Sequence, residues 1–167
     1  MASTSATSRS LAPGAFRAIL ILGLAGAVAL IIVSFIAASN LEDPFHPRFH
    51  AGSAVAMLVL AWLAAGRGPA TLARRALATA FLLMATAFLV EGVGGFGFDH
   101  HGRNALAVAH DLGLGLTALS MLAAAALIGV ATGSFIGARS SSRGLSVLVG
   151  AGAGLLGLLF VKTMIGM

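Results

Sequence analysis

The run AILILGLAGAVALIIVSFIAA, residues 18–38, carries no charged side chain and a single hydroxyl, that of Ser34. About 20 apolar residues rising 1.5 Å each cross a hydrocarbon core of about 30 Å as a helix. Lipid offers a lone segment no other conformation, because only a helix satisfies its own backbone hydrogen bonds there. The span therefore reads as a transmembrane helix over about 15–38, with Arg17 near its start. Asn40 to Pro47 reads as a loop, since Pro44, Pro47 and the pair Glu42-Asp43 do not suit an apolar helix interior. Four more apolar spans follow, over about 48–66, 76–92, 105–136 and 145–161. Their separators are Arg67-Gly68-Pro69, the glycines of 92–97 that loosen the backbone, and a serine-rich loop holding Arg139 and Arg143. The expected fold is all-α and integral to a membrane: five transmembrane helices, a four-helix up-down bundle plus one extra helix. Residues 14–167 form one domain behind a flexible cytoplasmic tail over 1–13.

Composition agrees. The chain is 59% hydrophobic and 9% charged, with a mean hydropathy of +1.02, whereas soluble domains run at about 45–50% apolar residues. The absence of cysteine excludes disulfides, thiolate metal sites, iron–sulfur clusters and c-type haem attachment. A net charge of +5 does not point to nucleic acid, because the arginines are dispersed at helix ends. They read as topology signals. Arg9, Arg17, Arg67, Arg74, Arg75, Arg139 and Arg143 collect on one side, against Arg48, Arg103 and Lys162 on the other. Basic residues are retained in the cytoplasm, so the expected setting is a bacterial inner membrane with the N-terminus cytoplasmic and the C-terminus outside.

With that topology every acid and every histidine falls at the outer end. No hydropathy rule sorts histidines in this way. His50 lies about one turn into the second helix and His110 about one and a half turns into the fourth, and both helices run inward from the same face. Their depths match, and small residues, Gly52 and Gly113, stand beside them. Two imidazoles at matched depth on neighbouring helices are the ligand set of a bis-histidine haem. Met57, Leu58, Leu114 and Thr117 would line the next layer inward. Ionisable residues within a membrane usually face the bundle interior and are functional by default. Glu91, at the outer end of the third helix, reads as a proton-coupling carboxylate or a partner of His110. Asp111 is expected to face water or Arg103.

The segments His46-Pro47-Arg48-Phe49-His50-Ala51-Gly52 and Ala109-His110-Asp111-Leu112-Gly113 resemble the paired haem-ligand helices of small bacterial four-helix b-type cytochromes, and are similar to a half-bundle of haem A synthase. The resemblance covers about 15–136 and leaves the fifth helix unmatched. It implies haem b with His50 and His110 as axial ligands, and electron transfer near the outer face with a quinone or periplasmic carrier; Arg48 and Arg103 are separate candidates to pair with the haem propionates at the outer surface. The synthase pattern has an acid one turn before its ligand and an arginine after it, where this chain has His46 and Ala51. That departure favours haem b binding over haem A synthesis.

Two other readings stay open. One is an outer-face transition-metal site drawing on His46, His50, Asp99, His100, His101, His110 and Glu91, all nitrogen and oxygen donors. The other is a non-catalytic subunit of a larger membrane complex, binding a pigment such as bacteriochlorophyll through a histidine. Gly150, Gly152, Gly154 and Gly157 on the fifth helix mark a close-packing surface. Its upper part is expected to meet another subunit or a second copy. No Ser-His-Asp or metalloprotease motif supports a hydrolase.

Overall fold

The computed structural model describes residues 13–41, 43–66, 71–96 and 105–165, with side chains for all of these except 13, 105–107, 109, 110, 164 and 165. The expected tail and the positions Glu42, Arg67, Asp99, His100, His101 and Arg103 lie outside the described residues, as does the side chain of His110. The described residues form five α-helices: α1 (Pro13–Ile36), α2 (Phe45–Ala65), α3 (Leu72–Gly94), α4 (Ala105–Gly137) and α5 (Arg143–Ile165). Each contains a segment long and apolar enough to cross a membrane. The all-α membrane fold is thus the observed one.

The helix ends follow from local chemistry. Proline opens α1, where its missing N–H costs no hydrogen bond and its fixed φ suits the first turn. After a single 3₁₀ turn at Ala38–Asn40, α2 begins at Phe45, three residues before the expected start at Arg48. Pro47 falls in the first turn, where the backbone N–H has no intrahelical partner to lose. Asp43 holds this start through Oδ1, which accepts from the N–H groups of Phe45 at 2.9 Å and His46 at 3.3 Å. His46 is therefore helical and not in a loop. At the other end of α2, Gly66 adopts φ 47°, and a Cβ there would collide with the Arg74 guanidinium. Arg74 donates to the last carbonyls of α2, those of Ala64 at 3.2 Å and Ala65 at 2.8 Å. Thr71 caps α3, and Ser142 caps α5 through its hydroxyl.

The bundle is small-residue inside and large-residue outside. Ala51, Ala54, Ala61, Ala80, Ala85 and Ala87 are buried to within 1%, while Ile21, Leu22, Ile36, Leu148 and Leu156 stand two-thirds or more exposed. This inversion fits lipid as solvent: large apolar side chains gain nothing by leaving it, and small ones let helix backbones approach. Consecutive helices pack on one another, and α1 also touches α3. Where α4 meets α5, glycine backbones approach one another directly. A Cβ at Gly150 would lie 2.9 Å from the Gly129 carbonyl oxygen and 3.0 Å from the Gly133 Cα, and one at Gly157 would lie 3.0 Å from the Ala125 Cβ. Gly154 and Gly157, the upper glycines expected to meet another subunit or a second copy, both lie against Ala125 of the same chain. Gly152 alone of the four meets open space.

Candidate functional site

Short connections run the helices alternately up and down, so one end of the bundle gathers the close of α1, the opening of α2, the close of α3 and the opening of α4. His46 and His50 sit one turn apart on α2, their ring centroids 4.5 Å apart, as the i, i+4 relation on a helix requires. Glu91 reaches them from the last turn of α3. One donor atom from each of His46, His50 and Glu91 lies within 4.8 Å of the other two. His46 Nε2 approaches Glu91 Oε1 to 3.6 Å. Those two atoms and His50 Nδ1 are shielded from solvent.

Glycine makes this closeness possible. A Cβ on Gly92 would touch the His50 Cβ at 3.5 Å, and one on Gly95 would come within 2.6 Å of His46 Cδ2. The α3 backbone therefore rests against the His46 imidazole and the His50 Cβ. Gly92 and Gly94 are helical and Gly95 lies in the αR region, so the expected loosening of this segment is corrected: through Gly95 the glycines give close approach. Phe88 of α3 and Phe49 of α2 border His50, with ring centroids 5.8 and 5.4 Å away.

Glu91 is only 2% exposed. Its second oxygen, Oε2, lies 3.4 Å from the Thr117 hydroxyl of α4, which is also 3.2 Å from the Ala87 carbonyl of α3. A Cβ on Gly113, one turn before Thr117, would lie 3.3 Å from Val90 Cγ1. Position 110 is three residues before Gly113 and seven before Thr117, so helical register puts it on the same face of α4. Glu91 thus meets His46 and Thr117, and the side chain of His110, the partner expected from the sequence, lies outside the described residues.

The remaining expected residues are dispersed. The Arg48 guanidinium is engaged by α1: Nη2 donates to the Ser34 carbonyl at 3.0 Å, Nε to the Ser34 hydroxyl at 3.3 Å, and the group lies 4.0 Å over the Phe35 ring. Gly52 is exposed, with open space at its Cβ position. Leu58 and Thr117 are buried, Met57 is half-buried, and Leu114 turns outward. Asp111 is exposed. Sequence reasoning passed over Gly95 as a seat for His46; a glycine one helical turn beyond a buried acid is the signal that could have marked it. No protein-family model, curated protein or solved structure matches the chain, so the functional reading rests on the chemistry of this cluster.

Proposed function

We propose that this chain is a multi-pass membrane protein that holds a first-row divalent transition-metal ion at one end of its bundle, through His46, His50 and Glu91. The convergence of the three donors within 4.8 Å carries this reading. Metal–ligand bonds of about 2.0–2.2 Å put tetrahedral donors about 3.4 Å apart, a closure that side-chain rotation can supply. Two imidazoles and one carboxylate suit Zn²⁺, Fe²⁺, Ni²⁺ or Cu²⁺ better than Mg²⁺ or Ca²⁺, which prefer oxygen. A buried carboxylate in a membrane bundle is costly unless a positive charge meets it, and a bound cation provides one. Three protein ligands leave the fourth position of the ion to water.

The alternative is haem b between His50 and His110, serving electron transfer to a quinone or periplasmic carrier. The location of both positions at one end of the bundle favours it. Three placements favour the small ion instead: Val90 crowds the Gly113 position, Gly52 opens outward, and Arg48 is held by Ser34. Elemental analysis and absorption spectra of detergent-purified protein separate the two. The metal reading expects about one Zn²⁺ or Co²⁺ per chain, lost in His46→Ala, His50→Ala and Glu91→Gln and kept in His100→Ala and His101→Ala. A reduced Soret and α-band spectrum that survives His46→Ala overturns it in favour of haem.

We further propose that the site faces outward across a bacterial cytoplasmic membrane. The support is charge: Arg17, Arg74, Arg75, Arg139 and Arg143 lie at the end opposite the cluster, and among the described residues no acid accompanies them. Ser142, exposed between α4 and α5, is the reporter. Ser142→Cys should resist an impermeant thiol reagent in intact cells, and efficient labelling reverses the orientation.

A further inference from the structure

We infer that Thr117 is the positioning residue that makes Glu91 a one-oxygen ligand and thereby sets which ions the site prefers, an assignment that rests on the metal-binding reading of His46, His50 and Glu91. The two carboxylate oxygens of Glu91 have different neighbours. Oε1 points to His46 Nε2 at 3.6 Å, on the side of the two imidazoles. Oε2 lies by the Thr117 hydroxyl at 3.4 Å, on the side of α4. The carboxylate thus bridges α2 and α4 from its place on α3, with one oxygen committed to each.

A hydroxyl has one proton to donate. Thr117 divides it between the Ala87 carbonyl at 3.2 Å and Glu91 Oε2. Once Glu91 is a metal ligand it is an anion, and a hydrogen bond to an ionised acceptor is about twice as strong as one to a neutral carbonyl. The 7% exposure of Thr117 keeps water from competing, which strengthens that bond further. The hydroxyl then belongs to Oε2 and holds it away from the ion. Only Oε1 remains for coordination.

Compact ions such as Zn²⁺ take four ligands at about 2.0–2.3 Å and are satisfied by one carboxylate oxygen. Larger ions gain from a carboxylate that turns both oxygens inward, as bidentate acids do for Ca²⁺. Tying back Oε2 therefore favours the compact ion. Valine keeps the branched shape of threonine and removes the hydroxyl, which frees Oε2 to turn. Serine keeps the hydroxyl and removes a methyl.

The test is competition titration of Zn²⁺ and Cd²⁺ into full-length protein in detergent, for the native chain, Thr117→Val and Thr117→Ser. Loss of a residue that orients a metal ligand lowers affinity by about 10–100-fold. Thr117→Val is expected to lose at least tenfold in Zn²⁺ affinity while Cd²⁺ affinity is held, and Thr117→Ser to restore the native Zn²⁺/Cd²⁺ ratio. An unchanged ratio in the valine variant overturns the role of Thr117 and leaves the metal site standing. Failure of the native protein to bind either ion overturns both. Should the valine variant not assemble, the native protein decides. Infrared difference spectra of Zn²⁺-loaded native chain against Glu91→Gln are expected to show a monodentate carboxylate, and a bidentate one overturns the assignment.

Discussion

Replacing Gly95 with alanine adds one methyl group at the point where α3 meets His46. The backbone there, at φ −61° and ψ −17°, suits alanine, so no conformational strain opposes the change. The methyl would sit 2.6 Å from His46 Cδ2 and 3.3 Å from Pro47 Cδ. Carbon atoms pack at about 3.5–4.0 Å, so His46 must retreat by about 1 Å. Pro47 is a rigid ring in the first turn of α2 and yields little. The imidazole therefore swings, and its Nε2 leaves the neighbourhood of Glu91 Oε1. A ligand displaced by that much lowers affinity by about 10–100-fold, as loss of an orienting partner does, which corresponds to about 1.4–2.7 kcal/mol. The stability of the empty protein should change by less than about 1 kcal/mol, because the entropy gained over glycine offsets part of the repacking. Competition of Zn²⁺ against a chromophoric chelator measures the first quantity, and unfolding in mixed micelles the second. In a double-mutant cycle, Gly95→Ala should add nothing to His46→Ala. Native Zn²⁺ affinity in Gly95→Ala, or full additivity in the cycle, refutes the idea that this glycine seats the ligand.

Two further substitutions test the frame that holds the site. Arg48→Ala removes the guanidinium that donates to both oxygens of Ser34, and hydrogen bonds from charged groups contribute about 1.5–3 kcal/mol. Steric-trap or mixed-micelle unfolding should show a loss of that order, and an unchanged unfolding curve would mean that α1 is held without it. Gly150→Ala puts a methyl 2.9 Å from the Gly129 carbonyl and 3.0 Å from the Gly133 Cα, backbone atoms that cannot rotate aside. Overpacking of this kind costs about 1–3 kcal/mol. It should separate α5 from α4 without changing the mass of the native particle in mild detergent; a change in mass would show that these glycines meet another chain.

Hydropathy alone determined how many times the chain crosses a membrane, because apolar length is a one-dimensional property. The same count set which residues lie at which end, and so gathered His46, His50, Glu91 and position 110 together. Helix starts were less legible: Pro47 looked like a breaker, yet a proline in a first turn breaks nothing. That misreading put His46 in a loop and hid its i, i+4 relation to His50. The glycines of α5 announced close packing but not against what, since a small-residue face is the same whether it meets its own chain or another. Gly129, Gly133 and Ala125 supply the answer from α4. The pairing of Glu91 with His46 on one side and Thr117 on the other was beyond the sequence altogether. Its contacts cross 45 and 26 positions of chain, and only the rotation of α3 about its axis, fixed by glycines that let the backbones touch, decides which neighbours a single carboxylate meets.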